Sequence, residues 1–168
     1  MSREYFFNFD KIAYIKGKKP KGCIFCLLRD RHPSVVDLSV YHDELFITTV
    51  NLYPYNPGHL LIIPYRHIVD LREYSPEEEN RLNGLLKFFL NKLDRLHQPS
   101  AYNIGYNMGH PAGASIEHLH LHVIPRYPRE LGIADLVAGK RVLVESPQET
   151  AARLISLIDQ EPFSSTNS

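Results

Sequence analysis

The strongest hydrophobic pattern in the chain is helical and begins at Ser75. Ser75 is placed as an N-cap, Pro76 as the first helical residue and Glu78 as the third residue of a capping box. Apolar residues then recur every three or four positions until about Leu96, and Pro99 prevents further continuation. The pattern predicts a long amphipathic helix whose apolar stripe covers one face of a sheet.

Shorter runs of strand-like composition lie on both sides of this helix. Before it, residues 44–51 and 60–63 flank a turn rich in proline, asparagine and glycine, which predicts a β-hairpin. After it, residues 101–108 and 116–125 predict two more strands with a loop at 109–113 between them. The patterns predict both strands and helices but leave the strand order open.

The remaining segments fit a single folded domain. The chain has 168 residues, of which 43% are hydrophobic and 23% charged, as in ordinary globular domains. Residues 1–21 are polar and lysine-rich toward their end, so we expect an N-terminal arm or short helix there. The domain is predicted to span 22–160, with a C-terminal extension that contains a short strand at 141–144 and a helix at 147–158. Residues 161–168 are expected to form a disordered tail.

Charge and hydropathy exclude several classes of partner. Nineteen basic side chains balance nineteen acidic ones, so no general attraction to nucleic acid or to an anionic membrane is expected. The apolar runs are too short to cross a bilayer, and the first residues lack the apolar core of a signal peptide. We therefore expect a cytoplasmic protein with no membrane partner and no extended nucleic-acid binding, whose chemistry resides in a local site.

Three histidines at alternate positions of the last predicted strand are the main candidates for chemistry. In a strand, His118, His120 and His122 share one face at about 6.6 Å intervals, while Leu119 and Leu121 point into the core. Imidazole is nucleophilic, transfers protons and binds metals near neutral pH. Because histidine is not a favoured strand residue, the trio predicts a functional site. Phosphoryl chemistry is the preferred interpretation; an all-histidine metal site and surface histidines on an edge strand stay open.

The two cysteines of the chain, Cys23 and Cys26, form a second candidate site. In a cytosolic protein this spacing indicates metal or redox chemistry rather than a disulfide framework. Two thiolates suit one tetrahedral metal ion, which needs two further ligands. A pair of reduced cysteines without a metal is the alternative.

The run from His118 to Ile124 resembles the signature of the histidine triad family, in which apolar residues alternate with three histidines. The likeness extends over residues 51–67, which include Pro57-Gly58-His59, and over 107–126, which include Gly113-Ala114-Ser115; both lie within the interval 51–126, which is about half of the chain. The resemblance implies an α+β fold, with an antiparallel sheet flanked by helices. It also implies a homodimer in which the sheet continues across the interface.

The resemblance also implies roles for individual residues. His120 matches the nucleophile that attacks a nucleotide α-phosphate and forms a nucleotidyl-histidine intermediate. His122 matches a group that binds phosphate oxygens and helps to protonate the leaving group, and Ser115 is placed near that group. Turn amides add stabilisation of oxyanion charge. Ser and Asn also commonly satisfy turn hydrogen bonds, which is the simpler alternative for them. The implied substrate contacts are Asn51 on the ribose side, Asn107 at the phosphate, Gly113, Ala114, Ser115 and His122.

For the cysteine pair, the resemblance implies a structural zinc site completed by His67 and His118. A fully occupied tetrahedral site has no open position for water, so the zinc would not catalyse the reaction. It would fasten the segment that carries Cys23 and Cys26 to the strand of the triad. The other two histidines of the triad would remain available for chemistry.

The resemblance leaves the reaction open between classes. Residues 51–67 look like those of bacterial diadenosine tetraphosphate phosphorylases, which carry glutamine at the third position of the triad. This chain has His122 there, which favours hydrolases that cleave dinucleoside polyphosphates or nucleoside phosphoramidates with water. A non-enzymatic, nucleotide-binding zinc module is the third interpretation. We expect an adenine-containing substrate, with Tyr53 and Tyr55 as candidates for base stacking, although stacking tolerates any base.

Overall fold

The structure is a computed structural model that describes residues 21–128 and 145–164. Within them it contains a five-stranded antiparallel sheet with the order β1-β2-β3-β5-β4, accompanied by helices. The α+β prediction is therefore confirmed. The predicted strand at 141–144, residues 165–168 of the tail and all but the last residue of the N-terminal arm lie outside the described residues. The elements are α1 (Ile24–Arg29), β1 (Ser39–His42), β2 (Phe46–Val50), β3 (Leu60–Pro64), α2 (Pro76–His97), β4 (Ala101–Tyr106), β5 (Leu121–Arg126) and α3 (Pro147–Gln160), with short 3-10 helices at Leu71–Glu73 and His110–Ala112.

The predicted hairpin is present as β2 and β3, which pair from Phe46 opposite Pro64 to Val50 opposite Leu60. Every residue of both strands is buried because the centre of the sheet is covered on both faces. On one face, the strands pack against α2 and α3 in the main core. On the other face, Ile47 belongs to a smaller cluster with α1. The continuous apolar runs of the hairpin follow from this double burial.

The two longer helices match their predictions closely. Helix α2 begins after Ser75 with a complete capping box and ends at His97, where Gln98 adopts a left-handed conformation. Helix α3 has the same type of capping box, with Ser146 as its N-cap. Both helices contribute leucines to the main core, as their amphipathic patterns require.

The predicted strand at 116–125 is wrong at its start, because β5 begins only at Leu121. The ladder between β3 and β5 runs from Leu60 opposite Val123 to Ile62 opposite Leu121. It stops near Pro64, which has no N–H to donate. The amide of Leu119 instead donates to the carbonyl of Ile68, at 2.7 Å. The first two histidines of the triad therefore lie in an irregular segment before the strand, with a bend at His118, and both are buried rather than aligned on an open face.

Residues 161–164, which the sequence assigns to the tail, lie against α2 in the structure. The ring of Phe163 contacts Tyr41 and Phe88, and the Glu161 carboxylate pairs with the Lys92 ammonium at 3.0 Å. Of the helices that the structure describes, none combines the length and the apolar character that a membrane crossing requires.

Candidate active site

The residues singled out from the sequence surround one cavity of about 580 Å³. Helix α1 and the segment that follows it form one wall, and the loop between β2 and β3 forms another. The loop before the triad closes a third side. Ten of the eleven predicted site residues line the cavity, and Cys26 lies behind its wall. The ten are Cys23, Asn51, His67, Asn107, Gly113, Ala114, Ser115, His118, His120 and His122.

His120 is held as a neutral imidazole with a defined tautomer. Its Nδ1 lies 2.8 Å from the carbonyl oxygen of His118, which can only accept, so Nδ1 carries the proton and Nε2 the lone pair. The ring is 5% exposed and meets the edge of Phe25 at a centroid distance of 4.9 Å. Burial lowers the pKa of His120, which favours the unprotonated form. A neutral imidazole with a free Nε2 is the form that attacks phosphorus.

His122 forms a pair with His59, a residue that the sequence reasoning did not include in the site. Nε2 of His59 lies 3.0 Å from Nδ1 of His122. The backbone N–H of Tyr55 donates to Nδ1 of His59, at 3.2 Å, so the proton of a neutral His59 is on Nε2. It is then donated to Nδ1 of His122, and the proton of His122 is on Nε2. His122 therefore presents a proton donor beside His120, whose ring centroid is 4.7 Å away.

The loop before His59 is held in place by close packing against α2 and β5. Gly58 has φ +81°, and a Cβ atom there would lie 3.0 Å from Leu93 and 3.1 Å from Pro125. The buried Asn56 donates from Nδ2 to the carbonyl of Pro125, at 2.6 Å. The run Pro57-Gly58-His59 was the available sequence signal, because a glycine directly before a histidine indicates a constrained turn.

Asn51 has a structural role in the same loop. Its Oδ1 accepts the backbone N–H of Tyr53, at 3.0 Å, and its Nδ2 lies 3.3 Å from Nδ1 of His59. This arrangement is an Asx-type turn that holds the loop against the end of β2. Asn51 lines the cavity, and its assignment to the ribose side stays a prediction.

The loop before the triad places the other predicted contacts. Gly113 has φ +91°, Ala114 is buried and Ser115 is exposed at the cavity wall, while Asn107 is half-buried after β4. His110 is exposed, and its Nδ1 donates to the carbonyl of Ala114 at 2.9 Å, which braces the loop. Contact of these residues with a substrate stays a prediction.

A potential metal centre lies at the edge of this cavity. One ligand atom from each of Cys23, Cys26, His67 and His118 lies within 4.8 Å of all the others. Sγ of Cys23 is 3.4 Å from Nδ1 of His118, and Sγ of Cys26 is 3.3 Å from Nδ1 of His67. Tetrahedral zinc, with Zn–S of about 2.3 Å and Zn–N of about 2.0 Å, requires S···N separations of roughly 3.6 Å. The four side chains thus fit one tetrahedral ion.

The surroundings of this cluster determine which atoms of its side chains can donate electron pairs to a metal ion. Nε2 of His118 donates to the carbonyl of Pro64, at 2.9 Å, which leaves Nδ1 as the electron-pair donor. Burial lowers the pKa of His118 to about 4, so its imidazole is neutral. Burial and the adjacent Cys23 raise the pKa of Cys26 to about 11. Only a nearby cation would favour the thiolate form of this cysteine at neutral pH.

The cavity lining also contains apolar and aromatic side chains. Phe25, Leu28 and Leu38 are apolar members of the lining, and Tyr53 and Tyr55 add two tyrosine rings. Among the described residues, no lysine or arginine lines the cavity. Of the lining residues that the structure describes, those that can donate hydrogen bonds to an anionic phosphate therefore carry imidazole, amide and hydroxyl groups.

A match to a known family accompanies these features of the site, which are a histidine triad, a paired fourth histidine and a Cys–His cluster. A sequence model of the HIT domain matches residues 32–129. The chain belongs to the HIT family. The match includes β1 to β5 and α2, and it also includes the segment before β5, so that the hairpin, the long helix and the triad of this HIT protein all lie within it.

Two curated relatives of the HIT protein carry names that state a reaction. A Mycobacterium tuberculosis protein named AP-4-A phosphorylase is 32% identical over 126 residues, which cover 74% of this chain and 65% of the relative. A Schizosaccharomyces pombe protein named bis(5'-nucleosyl)-tetraphosphatase (asymmetrical) is 35% identical over 97 residues, covering 58% of this chain and 53% of the relative. The HIT protein therefore spans between half and two thirds of the length of these relatives.

Solved structures resemble the HIT protein over most of its length. A zinc-bound histidine triad family protein from Mycobacterium smegmatis is 27% identical, with a TM-score of 0.64, and the match covers 83% of this chain and 94% of the other. A HIT family protein from Bacillus anthracis is 28% identical, with a TM-score of 0.60 and coverage of 84% and 98%.

Proposed function

We propose that this HIT protein is a nucleotidyl hydrolase that cleaves a dinucleoside polyphosphate or a nucleoside phosphoramidate at an α-phosphate. The observation that carries the proposal is the juxtaposition of two imidazoles with opposite roles. His120 offers a lone pair on Nε2, and His122, 4.7 Å away between ring centroids, offers a proton on Nε2. The names of the two curated relatives support the same substrate class.

In the first step, Nε2 of His120 attacks the α-phosphorus, and the bond from phosphorus to the leaving group breaks. The His120 ring becomes positively charged, and the carbonyl of His118 stabilises it by accepting the Nδ1 proton. The N–H of His122 hydrogen-bonds a departing phosphate oxygen, which leaves as an anion. A departing nitrogen instead takes this proton and leaves as an amine, and the water of the second step returns a proton to His122. In the second step, water attacks phosphorus, its proton is released, and His120 leaves as neutral imidazole. Dividing the reaction in this way replaces one difficult displacement by two easier ones.

The assignments of Ser115, Asn107 and the Gly113–Ser115 turn to the phosphate, and of Asn51 to the ribose, belong to this proposal. These assignments are supported by one observation, which is that all of these residues line the cavity. An adenine-containing nucleotide is the proposed substrate, since the names of both relatives refer to dinucleoside tetraphosphate chemistry.

Phosphorolysis is the second candidate function, favoured by the relative named AP-4-A phosphorylase. The two reactions differ in products: water converts diadenosine tetraphosphate into AMP and ATP, whereas phosphate converts it into ADP and ATP. The test is turnover of diadenosine tetraphosphate with and without inorganic phosphate, with His120→Ala as the control. AMP formation without phosphate supports hydrolysis, and ADP formation that requires phosphate reassigns the protein. Equal turnover by wild type and His120→Ala refutes the nucleophile, and no turnover favours a non-enzymatic nucleotide-binding module.

We assign zinc to the Cys–His cluster as a structural ion. Two thiolate and two imidazole donors in tetrahedral spacing suit zinc, and a zinc-bound relative supports the choice. Protein purified without chelator should contain about one zinc per chain, and Cys23→Ser should reduce this content. Absence of zinc from the folded protein would refute the assignment. A cytoplasmic location belongs to the same proposal, because reducing conditions keep such cysteines available as ligands.

A homodimer is proposed through the edge of β4. Among residues 21–128 and 145–164, this strand pairs with β5 on one side only. Ile104 is 43% exposed, and Met108, beyond the end of the strand, is 37% exposed. An exposed edge with apolar side chains is suited to continue a sheet into a second copy. Sedimentation of wild type and Ile104→Lys tests this: a dimer that the variant converts to monomer is expected, and a monomeric wild type would refute it.

A further inference from the structure

Five aromatic rings contact one another in a continuous row; four of them line the cavity, and the ring of His59 is fully buried. Each ring centroid lies between 4.7 and 5.4 Å from the next. The three central rings are imidazoles, and the two terminal rings belong to a phenylalanine and a tyrosine. In order along the row they are Phe25, His120, His122, His59 and Tyr55.

The terminal tyrosine is unusual in its exposure. Tyr55 stacks on His59 with an angle of 16° between the ring planes, yet it is 50% exposed and lines the cavity. Its backbone N–H also donates to Nδ1 of His59, so the position of the tyrosine is fixed relative to the imidazoles. A large, half-exposed aromatic ring held in place beside a polar centre provides a stacking surface at little entropic cost.

The opposite end of the row differs in character. Phe25 lies with Leu28 in a buried apolar cluster, which suits a base enclosed by side chains. The row therefore has an enclosed aromatic end, an imidazole centre and a half-exposed aromatic end. A dinucleoside polyphosphate has the corresponding order of groups, with a base at each end and phosphates between them.

We infer that Tyr55 is a stacking platform for the base of the leaving nucleotide, and that the preferred substrate is consequently a dinucleoside polyphosphate rather than a phosphoramidate of a simple amine. The inference rests on the proposed function, in that it takes His120 as the point of attack. The nucleotide transferred to His120 lies toward Phe25, and the leaving nucleotide extends past His122 and His59 to Tyr55.

The test measures affinity rather than turnover, so that it does not depend on catalysis. In a His120→Ala background, the dissociation constants of diadenosine tetraphosphate and adenosine tetraphosphate are measured by calorimetry. The two ligands carry the same number of phosphates and differ only in the second nucleoside. Adding Tyr55→Ala is expected to weaken binding of the dinucleotide about 5- to 100-fold, the range of one base–aromatic stack. Binding of adenosine tetraphosphate should change less than twofold.

Two control variants separate the ring from its surroundings. Tyr55→Phe keeps the ring and should keep the affinity for both ligands. Tyr65→Ala removes another tyrosine, which is 39% exposed and lies outside the residues that line the cavity, and it should also change neither affinity. Thermal unfolding of each variant verifies that it is folded.

The outcomes distinguish this inference from the proposed function. An equal loss for both ligands, or no loss for the dinucleotide, overturns the role of Tyr55, while turnover by the wild type still supports the hydrolase. Absence of binding of either nucleotide to folded His120→Ala overturns the platform together with its substrate class.

Discussion

The position of His59 depends on a glycine that precedes it, and Gly58→Ala tests how strongly. Two physical penalties are expected from this substitution. First, φ is +81° at this position, and a left-handed conformation costs an alanine roughly 1–2 kcal/mol. Second, the new Cβ would lie 3.0–3.1 Å from atoms of Leu93, His97 and Pro125, and such overpacking costs about 1–3 kcal/mol. The free energy of unfolding should therefore fall by roughly 2–5 kcal/mol.

Gly113→Ala is the matched control for this variant. Gly113 has φ +91° and ψ 12°, which is the left-handed conformation, and no atom lies within 4 Å of its added Cβ. It should lose only the conformational part, roughly 1–2 kcal/mol. Urea unfolding of both variants gives the two losses, and their difference isolates the crowding beneath the loop. Because His59 follows directly, Gly58→Ala should also reduce kcat in the surviving folded protein.

Equal losses of stability in the two glycine variants would show that crowding against α2 and β5 contributes nothing. A Gly58→Ala protein as stable as the wild type would refute the reasoning altogether. In either case the loop would adapt to a side chain, and the position of His59 would have to be explained by its hydrogen bonds alone.

Three further predictions concern stability and proton transfer. Lys92→Met removes a buried ammonium group of α2 that donates to the carbonyl of Leu157, at 3.1 Å, near the end of α3. Urea unfolding should therefore show that the free energy of unfolding falls by about 1–3 kcal/mol. Lys87→Met, at an exposed position of α2, should cost far less. Burial lowers the pKa of His97, which lies beside Glu145, so the folded state binds fewer protons than the unfolded state below about pH 6.5. The free energy of unfolding should therefore fall as the pH decreases through this range. The dependence of the free energy of unfolding on pH should be weaker in His97→Gln, and an unchanged dependence would contradict the assignment. His59→Ala should lower kcat about 10²-fold with little change in KM, because it removes the partner that orients His122. Steady-state kinetics measures both constants, and a change in KM alone would indicate that His59 acts in binding instead.

The sequence predicts elements best where a local pattern coincides with the packing. Helix α2 has a capping box, a strong apolar period and a following proline, and all three agree with its burial against the sheet. Helix α1 has six residues and no side-chain cap, so it is held by the packing of Phe25 and Leu28, which the sequence does not show. Strand β1 has only four residues, and its register shifts between Ser39 and Tyr41, which interrupts any alternation.

The start of β5 shows how a correct pattern can mislead. Alternation of histidine and leucine continues from His118, but a strand also needs a partner for its backbone. The chain that would supply it leaves the ladder at Pro64. The period of two therefore continues into a segment that lies outside the ladder and bends at His118.

The candidate site was predictable where a family signature supplies it and not where three-dimensional packing does. The cysteine pair is visible from spacing, whereas its histidine partners lie 41 and 95 positions away from the cysteines they contact. They could be named only through a resemblance. His59 is a single histidine in a loop, and its pairing with His122 depends on the register of Leu61 opposite His122, which no local pattern contains.

The metal cluster and the reactive imidazole are joined through one residue. The His118 side chain contributes Nδ1 to the cluster, and its Nε2 is fixed by the carbonyl of Pro64. The backbone carbonyl of the same residue accepts the Nδ1 proton of His120 and thereby selects the tautomer with a free Nε2. An ion that holds the His118 side chain also restrains this carbonyl. The cluster would thus act on the nucleophile through the backbone and without contact to a substrate, which is the role expected of a closed, structural metal site.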